Sequence, residues 1–128
     1  MTYYHAKTTP LPFDQAVART RETLQAEGFG IITEVDIAAT FKTKIGVDFR
    51  PYIILGACNP KAAHEALGFE DKVGLMLPCN VIVQALASGG TEVAAIDPVA
   101  SMASIDNPEL KAKAGEIGES LKRAVAAV

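Results

Sequence analysis

Hydrophobic periodicity divides the chain into short strands and longer amphipathic helices. Thr2 to Lys7 alternates, with Tyr3, His5 and Lys7 on one face and Tyr4 and Ala6 on the other, which predicts a first strand. Thr9-Pro10-Leu11-Pro12 breaks it. Phe13, Ala16, Val17, Thr20 and Leu24 then recur at spacings of three and four and predict a helix over 12–27. Pro12 suits a first helical position, where its missing N–H is no loss, and Gly28 suits the left-handed residue that closes a helix. Gly30 to Val35, rich in β-branched residues, reads as a second strand. Asp36 offers a side-chain oxygen to the free N–H groups of a short helix over 37–44. Ile37 and Phe41 form the apolar side of that helix, and Lys42 and Lys44 lie near its C-terminus, where the macrodipole favours cations.

Tyr52 to Ala57 is apolar apart from one phenolic hydroxyl, the pattern of a central strand. Asn59-Pro60 supplies a cap followed by proline in the first helical turn. Ala62, Ala63, Ala66 and Leu67 give that short helix a small packing face, and Gly68 ends it. A looser stretch over 70–74 leads through Leu75-Met76-Leu77-Pro78 into a fourth strand, Asn80 to Leu86. Ser88-Gly89-Gly90 has the turn chemistry of a hairpin into Thr91 to Ile96, which Asp97-Pro98 ends. After a linker of small residues, Asn107-Pro108 repeats the cap-and-proline start. Leu110, Ala114, Ile117, Leu121, Val125 and Val128 then step by threes and fours along a long C-terminal helix. Gly115 and Gly118 weaken that helix by about 1 kcal/mol each relative to alanine. They either mark a close backbone approach or have no structural meaning.

This order predicts one α+β domain over 1–128. It has two layers: a mostly antiparallel sheet, two long helices on one of its faces, and short helices in the connections. The other sheet face would be left uncovered. Tyr52 to Ala57 and Val81 to Leu86 are too apolar to leave in water, so a second copy of the chain, in a homodimer, is the expected cover.

Composition narrows the partners. The 128 residues carry a net charge of −3, with 49% hydrophobic and 21% charged residues. An acidic balance argues against nucleic acid and against an anionic membrane surface. No apolar run approaches the ~20 residues that cross a bilayer. The first residues, Met-Thr-Tyr-Tyr-His-Ala-Lys, lack the basic-then-apolar pattern of a secretory signal. Two cysteines do not make a disulfide framework, which points to a reducing cytoplasm. Tryptophan is absent and aromatics make up 6%, so the core must be aliphatic.

The chemistry-bearing residues cluster around those two cysteines. Cys58-Asn59-Pro60 ends the third strand, and Pro78-Cys79-Asn80 opens the fourth. If the strands run antiparallel, both thiols reach the same end of the sheet, within the ~7 Å Cα separation a disulfide tolerates. Cys58 also precedes a helix start, whose partial positive charge favours thiolate over thiol. Cys79 would be a second soft ligand or resolving thiol, and Asn59 and Asn80 could orient a ligand. Lys44 and Glu34 would join if the loops converge. Cysteine also packs readily as a small buried hydrophobe, and core filler is the plainer reading of the pair. Two cysteines fall short of a four-ligand zinc shell, so no metal is expected. His5 has no second ligand at metal spacing, and His64, six residues past Cys58, lies off the three- or four-residue helical spacing. No nucleophile elbow, phosphate loop or dinucleotide fingerprint is present, so no cofactor is expected.

Several phrases carry a resemblance: Gly28-Phe29-Gly30, Thr33-Glu34-Val35-Asp36, Phe41-Lys42-Thr43-Lys44, Leu55-Gly56-Ala57-Cys58-Asn59-Pro60 and Leu77-Pro78-Cys79-Asn80-Val81. Together they resemble the bacterial and archaeal family known as domain of unknown function number 302. The resemblance implies a TATA-binding-protein-like fold (strand, helix, four strands, helix), usually assembled as a dimer, and no agreed activity. That fold invites comparison with DNA-gripping saddles, which need basic side chains toward phosphate. Tyr52 to Asn59 and Leu75 to Ala87 contain no lysine or arginine. Two functions stay open: a small-molecule-binding or thiol-handling module around Cys58 and Cys79, and an assembly domain that dimerises through its apolar sheet.

Overall fold

Alternate positions along the central strands carry aliphatic side chains, and these define the inner face of the sheet. In β3 (Tyr52–Cys58) Ile53, Leu55 and Ala57 point inward, and in β4 (Cys79–Ala85) Cys79, Val81 and Val83 do the same. The structure is a computed structural model and describes residues 2–128. Before β3 come β1 (Tyr4–Thr9), α1 (Phe13–Ala26), β2 (Gly30–Asp36) and α2 (Ile37–Ile45). Between β3 and β4 lie α3 (Pro60–Phe69) and a 3-10 helix, Asp71–Met76. β5 (Thr91–Ile96), α4 (Pro98–Ser101) and α5 (Pro108–Ala126) complete the chain. The sheet has the order β1-β5-β4-β3-β2 and is antiparallel throughout. The fold is therefore the expected two-layer α+β arrangement. Among the described residues no helix is long and apolar enough to cross a membrane.

The helix starts are fixed locally. Asp36, Asn59, Asp97 and Asn107 each accept a hydrogen bond from a backbone N–H two or three residues on, and three of the four are followed by proline. Such a cap contributes about 1 kcal/mol. α1 and α5 lay their stripes on the inner sheet face, burying Leu24, Leu121 and Val125 against Leu55, Val81, Val83 and Val93. Lys7 of β1 donates to the carbonyls of Ala126 and Val128 at 2.9 and 2.6 Å, and Arg19 of α1 donates to that of Ala127 at 3.1 Å. Both cations sit at the negative end of α5, where the macrodipole favours them.

A second, smaller core gathers Ala66, Val73, Met102, Leu110 and Ala114 under α3 and the 3-10 helix. Asn107 ties it together: its Oδ1 caps α5, and its Nδ2 donates to the Phe69 carbonyl at 3.0 Å.

Some expectations need correction. Asp97-Pro98 does more than end a strand, because it starts α4 in a stretch read as linker. Gly118 is where α4 approaches: a Cβ there would stand 3.5 Å from Asp97 Oδ1 and Pro98 Cδ, whereas one at Gly115 would meet nothing within 4 Å. Leu67 is 44% exposed and lies off the α3 packing face. Ile32 is the extra residue of an irregularity between Ile31 and Thr33, which leaves it outside the β2–β3 register. On the face away from α1 and α5, Tyr52, Ile54 and Ile82 remain half-buried.

Candidate functional site

The two cores meet along a seam, and a cavity of about 40 Å³ lies in it. By volume it accepts about three water-sized groups. Phe29, Ala57 and Cys79 line it from the sheet side, Ala62, Ala63 and Ala66 from α3, and Leu110, Ala114 and Ile117 from α5. The alanines keep α3 short-sided, and so the space is not filled. Cys58, Asn59 and Pro78 complete the wall where β3 ends and β4 begins. A broader, polar vestibule of about 240 Å³ shares Asn59, Ala62, Lys113 and Ile117 with this cavity.

Three of the six residues picked out from the sequence, Cys58, Asn59 and Cys79, thus line one cavity. The register does not pair the cysteines. Cys79 lies opposite Ala57, and Cys58 lies opposite Gly30 on the other neighbouring strand. With a side-chain period of two, that one-residue offset puts Cys58 and Cys79 out of face-to-face alignment. Both are free cysteines, Cys79 buried and Cys58 half-buried. Asn59 Oδ1 accepts from the Ala62 N–H at 3.2 Å, so the asparagine, not the Cys58 sulfur, serves that helix start.

The other three lie elsewhere. Asn80, on the outer face of β4, lines a groove with Tyr52, Ile82 and Gln84. Glu34 and Lys44 border a shallow groove at the junction of β2 and α2, and Glu34 is ion-paired to Arg21 of α1. Among the described residues no cluster of three or more histidine, cysteine or acidic side chains suits a metal ion.

Sequence reading missed Lys113. It stands between cavity and vestibule and bridges α5 to α3 through Glu65 at 2.7 Å, with Glu116 at 3.3 Å. The hydrogen bond from Lys113, and then its charge, hold the Glu65 carboxyl below its ordinary range. The same contacts with Glu65 and Glu116 raise the Lys113 ammonium. The only sequence signal was its place beside the Leu110–Ala114–Ile117 stripe.

Burial, and then the neighbouring Cys58, push the Cys79 thiol up from 9.0 to about 11. At neutral pH it is therefore an uncharged part of the wall. The raised value favours folding fully below pH 9, and the contribution is lost as pH rises through 11, because the unfolded thiol ionises first. Two pKa units correspond to a loss on the order of 2 kcal/mol. Denaturant unfolding from pH 8 to 11 should show wild type losing that much more stability than Cys79→Ala; parallel profiles would show that Cys79 does not ionise this way.

The geometry defines a class: a two-layer α+β protein with an antiparallel five-stranded sheet and an apolar cavity at the strand ends, bordered by two unpaired cysteines. The family described as Domain of unknown function DUF302 matches residues 5–128, and the chain belongs to that family. It is also similar to a crystal structure of an uncharacterized conserved protein DUF302 from Bacillus stearothermophilus. The two agree with a TM-score of 0.92 at 26% identity, over 99% of this chain and 98% of that one. None of the curated proteins matches.

Proposed function

We propose that residues 1–128 act as one unit that binds a small molecule in the seam cavity, with Cys58 and Cys79 as part of its wall. The supporting observation is that residues from β3, β4, α3 and α5, distant in sequence, leave an apolar space beside the only two thiols. Binding is favoured over dithiol exchange, since Cys79 is held as a thiol and stands opposite Ala57 instead of Cys58. Native mass spectrometry of freshly purified protein tests this. Wild type should carry a small-molecule mass that Ala63→Phe, which fills the cavity, lacks. Bare polypeptide masses for both, unchanged by incubation with small aliphatic metabolites, would contradict it.

One observation favours a second, compatible reading. The outer sheet face holds Tyr52, Ile54 and Ile82 away from the long helices, and a second copy of the chain would cover them. The same spectra report subunit number; a mass of 13.5 kDa per particle at micromolar concentration would remove the homodimer.

A further inference from the structure

Resting on the binding reading above, we infer that the ligand is a short, branched aliphatic α-amino acid, its side chain in the seam cavity and its zwitterionic head in the vestibule. The cavity and vestibule adjoin, sharing Asn59, Ala62, Lys113 and Ile117 in their walls, so a molecule seated across that rim would occupy both. The inner part is apolar and takes only about three water-sized groups, the bulk of an isopropyl or isobutyl tail. The outer part is charged but balanced. Lys61 and Lys113 face Glu65 and Glu116 there, and Ser120 adds a hydroxyl.

That balance decides the head group. Lys113 is already held by two carboxylates, so a lone carboxylate gains little from it. Lys61 makes no ion pair among the described residues, and Glu116, its side chain 70% exposed, is only loosely engaged at 3.3 Å. A ligand carboxylate beside Lys61 and a ligand ammonium beside Glu116 would each find an opposite charge. A zwitterion therefore gains both contacts, whereas a simple anion or cation gains only one of the two.

Calorimetric titration with four probes sharing a branched tail tests this: L-valine, isovalerate (no ammonium), isobutylamine (no carboxylate) and isobutanol (no charge). Valine should bind at least about tenfold more tightly than each of the others. Lys61→Met and Glu116→Gln, both at exposed positions, should each weaken valine several-fold and leave isobutanol unchanged. If isovalerate, isobutylamine or isobutanol binds as well as valine, the zwitterion inference is overturned while binding in the cavity stands. If none of the four binds, this inference also fails, and a retained mass that Ala63→Phe abolishes still decides the binding reading separately.

Discussion

Leu121→Asp should leave the chain unfolded, or close to it, at 25 °C. Leu121 sits in the middle of α5 with no exposed surface, packed in the main core with Leu24, Val83 and Val125. Truncating such a leucine costs about 2–5 kcal/mol. The aspartate carboxylate adds the penalty of a buried, unpaired charge, several kcal/mol more unless it takes up a proton. Domains of this size have only about 5–15 kcal/mol in total. Ile117→Asp, four residues earlier on the same stripe, should be much milder, about 1–2 kcal/mol. Ile117 is half-buried and borders both cavity and vestibule, so its carboxylate could reach water. Circular dichroism melts distinguish the two. Equal losses would mean that α5 does not place Leu121 in the core and Ile117 at the seam.

Gly56→Ala should be the most damaging single-methyl change in the sheet, at about 3 kcal/mol, the upper end for overpacking a close-packed site. Gly56 pairs with Thr33 of β2 and Asn80 of β4. A Cβ there would overlap Thr33 Oγ1 and stand 2.7 Å from Pro78 Cγ. Rotation of the threonine hydroxyl can relieve the first contact; the proline ring, held in the chain just before β4, cannot rotate away. Adding Thr33→Ala should therefore restore only part of the loss, measured by urea unfolding. Full restoration would mean that Pro78 gives way. Pro78 also borders the seam cavity, so Gly56→Ala should alter access to Cys58 as well.

Much of the fold was legible because its signals are local. Asp36, Asn59-Pro60 and Asn107-Pro108 announce helix starts through one side chain and the next residue or two. The aliphatic runs around Leu55 and Val81 announce central strands. α4 escaped because four residues are too few to show a helical period, although Asp97-Pro98 carried the same start signal. The cysteine region was legible in part. Cys58 and Cys79 flank strand ends, so an antiparallel pairing brings them to one end of the sheet. Which residue faces which depends on register, and a shift of one residue sets Cys79 against Ala57. Lys113 was illegible for a different reason: its partner Glu65 lies on another helix, and no sequence spacing encodes that contact.

The central claim is that small molecules reach the seam beside Cys58 while Cys79 stays within the wall. The most direct measurement is iodoacetamide labelling of the native protein, read by peptide mass spectrometry, on wild type, Cys58→Ser and Cys79→Ser across pH 7 to 10. Cys58 should label in the folded protein, more slowly once L-valine is added, with Cys79 remaining protected across that range. Labelling of both cysteines only after denaturation would show that they are core filler, contradict the cavity account and leave the assembly-domain reading in its place.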